Sequence, residues 1–210
     1  MARKFFITLI ILGLILLLIC GLFTFRNLRE AAQAEASSQS VMESIHGILT
    51  APTETAAPSQ PPPSSLPETE PVPQESTEPA PMTEKNIGGQ NYIGYLTIDS
   101  LGLELPVLSQ WSYQGLRMAP CRQCGTLDGN DLVIAAHNYP QHFGNLHSLP
   151  LGASIRFTDM NGITTDFSVG TVEKVEPNAE DYVLNSSWDL VLYTCTVGGE
   201  MRVMAGADRS

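Results

Sequence analysis

The chain has 210 residues and a formal net charge of −11 at neutral pH. From Asn86 onward it carries 13 acidic and six basic residues, so it lacks the basic stripe that a duplex-binding surface needs, and nucleic acid is excluded as a partner. Composition shifts twice along the chain, and the resulting blocks obey different physics.

Residues 1–29 form a short polar stub and a membrane signal anchor. From Phe5 to Phe25 no residue is charged, and at about 1.5 Å rise per residue such a run spans a hydrocarbon core of roughly 30 Å. Small-x-small sites at Ala32-Gln33-Ala34 and Ala34-Glu35-Ala36 offer the competing reading of a cleavable signal peptide. The apolar stretch exceeds the usual signal-peptide core of about 7–15 residues, which favours an uncleaved anchor. Basic residues flank both ends, Arg3 and Lys4 before and Arg26 and Arg29 after; the pair at the extreme N-terminus favours an N-in orientation, with the rest of the chain outside the cell membrane.

Residues 30–85 are expected to form a flexible linker rich in Pro, Glu, Ser and Thr. Between Ala51 and Glu84 lie ten of the chain's 15 prolines and six glutamates, with no lysine or arginine. Such a stretch buries too little apolar surface to offset its conformational entropy. In polyproline II form it reaches up to roughly 100 Å. Ser40–Leu49 has the pattern of a short amphipathic helix, in which His46 reads as a solvated residue.

Residues 86–210 are long enough for a single core. Short apolar or alternating runs at Tyr92–Ile98, Leu103–Leu108, Leu132–Ala136, Ser154–Thr158, Thr164–Val175, Leu190–Tyr193 and Met201–Met204 predict strands. Asp159-Met160-Asn161-Gly162 reads as a hairpin turn. Strands at this spacing argue for an all-β sandwich or closed barrel, with helical turns at Ser112–Arg117 or Phe143–Leu149.

Two of these runs end on reactive side chains. Leu190–Tyr193 runs into Thr194-Cys195, with Arg202 seven residues further on, and Leu132–Ala136 delivers His137. A strand cysteine is by itself more often a core residue than a nucleophile. Thiol, imidazole and guanidinium together suffice for acyl transfer: a thiolate attacks an amide carbonyl, a histidine moves the proton, and an arginine steadies the oxyanion. His142 and His147 read as loop residues.

The ordered set Ile93-Gly94-Tyr95-Leu96-x-Ile98, Leu105-Pro106-Val107, Gly129-Asn130-Asp131-Leu132-Val133-Ile134-Ala135-Ala136-His137, Phe143-Gly144-Asn145-Leu146, Tyr193-Thr194-Cys195 and Arg202 resembles the sortases, membrane-anchored cysteine transpeptidases of bacterial cell surfaces. The resemblance implies a closed eight-stranded barrel with His137, Cys195 and Arg202 at one end of a groove. Thr194 and Asn138 are expected to shape that groove beside the thiol. The implied reaction cleaves an LPXTG-like sorting signal of a secreted protein through a thioester on Cys195. An amine of a Gram-positive cell-wall precursor or a pilin lysine then resolves the thioester. No cofactor and no metal is required, although Glu173, Glu176, Glu180 and Asp181 suggest the calcium loop of some relatives.

Several features depart from the family pattern. Cys121-Arg122-Gln123-Cys124 stands where many sortases have a Pro-Gly turn; outside the cytosol it reads as a local disulfide, with half a zinc site or a redox pair as the other readings. The peptide-selecting segment Glu176–Ser187 is short. Leu66-Pro67-Glu68-Thr69-Glu70 mimics a sorting signal apart from its last residue, which suggests a pseudosubstrate, although tether composition alone accounts for it. Two functions from other classes compete: a catalytically degenerate sortase-fold peptide binder, and an exported thiol oxidoreductase using Cys121 and Cys124.

Overall fold

The computed structural model describes residues 2–50 and 81–210, with side chains outside the description for residues 2–9, 23, 27, 28, 30 and 31. Most of the proline-rich tether, including Leu66–Glu70, lies outside the described residues.

Eight strands close on themselves, the barrel that the family resemblance implies rather than a sandwich. They are β2 (Gln90–Ile98), β3 (Leu103–Leu108), β4 (Cys121–Cys124), β5 (Leu132–Ala135), β6 (Ser154–Asp159), β7 (Thr164–Val175), β8 (Leu190–Cys195) and β9 (Arg202–Arg209). Their order around the barrel is β2-β3-β4-β5-β8-β9-β7-β6, and β6 pairs back to β2. A short β1 (Lys85–Ile87) adds a hairpin to the start of β2. All neighbours are antiparallel except β3 with β4 and β5 with β8.

Inward side chains such as Leu96, Ile134, Phe157, Phe167, Leu192 and Ala205 fill the interior. The outer face of β5, β8 and β9 is covered too: Val133, Val191 and Met204 pack beneath α3 (Glu180–Leu184) and Trp188. Every residue of β5 is therefore buried, which explains why Leu132–Ala135 reads as an unbroken apolar run rather than an alternating one. Trp188 lies flat against two strand glycines, since a Cβ on Gly170 or Gly206 would come within 2.3 Å and 2.5 Å of its ring. The indole thereby pins the segment that leads into β8. The β6–β7 hairpin is the expected one: Gly162 adopts φ +81°, and Asp159 Oδ1 accepts from the backbone N–H groups of Asn161 and Ile163.

Residues 2–50 are one helix, α1 (Ala2–Thr50). The segment 30–50, assigned by sequence to the linker, is thus helical, and the amphipathic pattern at Ser40–Leu49 is its C-terminal part. Ala34, Ser38, Met42 and Ile45 are buried at helical spacing. Met42 and Ile45 pack with Tyr92, Leu108, Ala119, Cys121 and Met160 on the outside of the barrel. Ser38 Oγ donates to Met118 O at 3.1 Å. His46 is not simply solvated: its Nε2 lies 3.3 Å from Glu104 Oε1, and its ring meets the Tyr95 ring edge-on. Farther back, large apolar side chains between Ile10 and Leu22 are exposed. Among the described residues no helix is long and apolar enough to cross a membrane. The span expected over Phe5–Phe25 includes Phe5–Leu9 and Phe23, whose side chains lie outside the description.

Candidate active site

The parallel pairing of β5 with β8 brings the two reactive strand ends together. Leu132 pairs with Leu190 and Ala135 with Tyr193, and the ladder continues through Ala136 N donating to Tyr193 O at 3.1 Å. One step further along the same register, His137 and Cys195 reach the same end of the barrel. Antiparallel β9 completes the set, because Cys195 and Arg202 are directly paired residues and such partners project from the same face of the sheet. The Cys195 thiol is free and exposed.

Arg202 is held in waiting. Its Nη1 donates to Gly199 O and Met201 O, each at 3.3 Å, across the turn that joins β8 to β9. These are long bonds, and Met201 O already accepts from Thr196 N and Thr196 Oγ1, so a substrate oxygen can draw the guanidinium away from them. On its other side Arg202 borders a cleft of about 140 Å³ under α3, together with Glu176, Glu180 and Tyr193.

Asn138 fixes how His137 is used. Asn138 Nδ2 donates to Thr196 O at 3.2 Å, which turns Oδ1 toward His137 Nδ1, 3.4 Å away. A carboxamide oxygen only accepts, so Nδ1 carries the hydrogen and Nε2 is left to exchange a proton. Tyr139 stacks on the opposite support of this ring, with centroids 4.3 Å apart and planes within 2°. Behind Tyr139 lies His142, fully buried, with neither ring nitrogen hydrogen-bonded. Burial, reinforced by the neighbouring His137, pulls the His142 pKa down to about 4. His142 is therefore neutral and interior, although it sits in the loop that follows β5.

The Phe143-Gly144-Asn145-Leu146 motif closes this loop. Phe143 and Leu146 plug into the barrel core. Gly144 N donates to Tyr139 O at 2.9 Å, and a Cβ on Gly144 would come within 2.6 Å of Asn138 O. Only glycine permits this approach, so the motif shapes the histidine loop.

Thr194 has a structural task beside the thiol. It is 2% exposed, and its hydroxyl donates to Ala136 O at 2.9 Å. That bond clamps β8 to β5, and Thr194 also lines the cleft beside the thiol. Cys121 and Cys124 form no disulfide; both are free thiols. Cys121 is buried under α1, whereas Cys124 packs against the cluster under α3. An extended strand also separates the α-carbons of residues three apart by about 10 Å, beyond the reach of a bridge. Burial pushes the Cys121 thiol up to about 11, which leaves it unreactive. The four carboxylates suggested as a calcium loop are not gathered: Glu173 accepts from Tyr182 OH at 2.8 Å, and among the described residues no group of three or more His, Cys, Asp or Glu is placed to hold a metal.

A second cleft, of about 340 Å³, opens beside the thiol between Asn138, His147, Lys174, Cys195 and Val197. His147 is exposed there and uses Nδ1 to donate to Gly144 O at 3.2 Å. Tyr139 and Lys174 were not singled out by sequence, and His142 was read only as a loop residue, because only folding brings them to His137 and Cys195.

Residues 96–210 match the family model described as the Sortase domain. Solved structures with a similar fold include a sortase D5 transpeptidase of Clostridium perfringens (20% identity, TM-score 0.51, covering 57% of this chain and 79% of that one). Sortase C from Clostridium perfringens SM101 (21%, 0.50, 61% and 72%) and sortase A from Corynebacterium diphtheriae (21%, 0.50, 58% and 61%) are also similar. The search of curated protein sequences found no match. With the barrel, the ordered strand ends and a domain match over more than half of its length, the chain belongs to the sortase family.

Proposed function

We propose that the chain is an active cysteine transpeptidase acting on sorting signals of secreted proteins. The observation that carries this reading is the exposed Cys195 thiol at the end of β8, paired with Arg202 on one side and in register with His137 on the other.

Cys195 Sγ, as a thiolate whose proton has passed to His137 Nε2, attacks the scissile carbonyl carbon and forms a C–S bond. The carbonyl electrons move onto oxygen, and the Arg202 guanidinium leaves the Gly199 and Met201 carbonyls to stabilise that oxyanion. Collapse breaks the C–N bond, and the departing amine takes a proton from His137 Nε2. A second amine then attacks the thioester and loses its proton to His137, while the C–S bond breaks and the thiolate returns. Transfer beats hydrolysis when the amine is held in line with the thioester. An LPXTG-like donor and a cell-wall or pilin amine acceptor are the family default.

The apolar run Phe5–Phe25 supports anchoring in the membrane, with the barrel on the outer side. The thiol oxidoreductase reading loses its support, since Cys121 is buried with a raised thiol pKa and faces away from Cys124. A degenerate peptide binder is separated by turnover. The full chain, given a sorting peptide and an amine, yields a new amide in this account and none after Cys195→Ala. Peptide binding without amide or hydrolysis product in the wild type establishes the binder instead.

A further inference from the structure

Two clefts lie at the reactive end of the barrel, one lined by Arg202 and the other by Cys195, and they differ in charge. The one under α3 carries Glu176 and Glu180 beside Arg202. The one on the His137 side is lined by Asn138, Gly144, His147, Lys174, Cys195 and Val197, among others, and none of its lining residues is acidic. In a chain of net charge −11, this cleft thus places a lysine and no acid at the nucleophile. Lys174 sits on β7, paired with Val203 and next to the Val175–Arg202 pair. It is exposed, and among the described residues it has no carboxylate partner; the two ion pairs are His46–Glu104 and Arg156–Asp99. His147, with Nδ1 committed to Gly144 O, keeps Nε2 for the cleft, and the Asn138 amide that holds Thr196 O has a second N–H to offer.

This cleft is the amine side of the reaction. His137 must reach the amine nitrogen both when it leaves and when it arrives, so the two amines occupy the same place, and the residues of the His137 loop line this cleft rather than the one under α3. Resting on the transpeptidase reading above, we propose that Lys174 recognises a carboxylate carried by the amine partner. The carboxylate belongs either to the acceptor, near its reacting amine, or to the donor residue that follows the leaving amine. No bond changes at Lys174; its ammonium pairs with the carboxylate while the amine nitrogen meets the thioester.

The test offers the full chain two acceptors that differ only in charge, glycylglycine and glycylglycinamide, and two donors with Glu or Gln after the leaving glycine. Product amide is measured against hydrolysis. An exposed ion pair changes partition by about two- to fivefold. Glycylglycine therefore wins by that factor if the acceptor supplies the carboxylate, and the Glu donor acylates faster by that factor if the donor does. The preference vanishes in Lys174→Gln, reverses in Lys174→Glu and shrinks with added salt. Equal use of both acceptors and both donors, or a preference unmoved by Lys174→Glu, overturns the inference. A wild-type chain that forms no acyl-enzyme overturns the transpeptidase reading separately. In that case, dipeptide binding to the Cys195→Ala chain, followed through the Lys174 side-chain NMR signal, decides the inference: a shift with glycylglycine alone supports it, and equal shifts or none overturn it.

Discussion

Cys195 is competent only because its neighbours settle which proton moves and where charge is received. Asn138 selects the His137 tautomer through paired contacts to His137 Nδ1 and Thr196 O. Asn138→Ala frees the ring to turn, and a small misplacement of a proton-transfer group costs about 10²-fold. Rapid-quench measurement of acyl-enzyme formation should show that loss, with little change in thermal midpoint. Arg202→Lys keeps the charge but loses the planar fork, and a fall of about 10²- to 10³-fold in kcat is expected. His142 gives the molecule an acid sensitivity unrelated to catalysis. Its pKa is about 4 folded against 6.5 for an unperturbed histidine, so the unfolded chain binds the extra proton between those values. Stability is full above pH 6.5 and falls as pH drops toward 4, by about 3 kcal/mol. Urea titrations across that range should show a shallower pH dependence for His142→Phe than for wild type.

The strand ends depend on clamps that are as specific as the reactive groups. Thr194→Val keeps the shape of Thr194 but leaves the buried Ala136 carbonyl without its donor, at a cost of about 1–3 kcal/mol. Denaturant unfolding reads that loss. Gly206→Ala drives a methyl into the Trp188 indole and should cost about 1–3 kcal/mol, loosening the α3 segment so that limited proteolysis cuts first between Glu176 and Asp189. Strands β2, β3 and β5–β9 are visible in sequence because half-buried or doubly buried strands impose alternation or unbroken apolarity. β1 and β4 are not: Lys-Asn-Ile and Cys-Arg-Gln-Cys are polar and short, and they join the sheet through backbone pairing that side-chain pattern does not report. The reactive trio could be read because each member closes or opens a strand. Tyr139, His142 and Lys174 could not, since nothing local to their sequence indicates what they face.

At the largest scale, α1 packs its C-terminal part against the barrel. Its C-terminal part buries Met42 and Ile45 over Cys121, and Gln141 Nε2 donates to Glu35 Oε2 at 3.4 Å, touching the loop that carries His137. A linker reading from Pro/Glu composition does not anticipate this, because helical burial spaced over Ala34, Ser38, Met42 and Ile45 is diluted by the serines and glutamates between them. Ile45 is fully buried, so Ile45→Asp should undock the helix; a thiol reagent that labels only the more accessible cysteines in wild type should then reach Cys121 as well. The central claim remains the chemistry at the barrel end. Its most direct test is the intact mass of the full chain quenched during reaction with a sorting-signal peptide. The account predicts an acyl adduct mapped to Cys195 that disappears when an amine is added and is absent in His137→Ala. An unmodified chain, or an adduct on another residue, contradicts it.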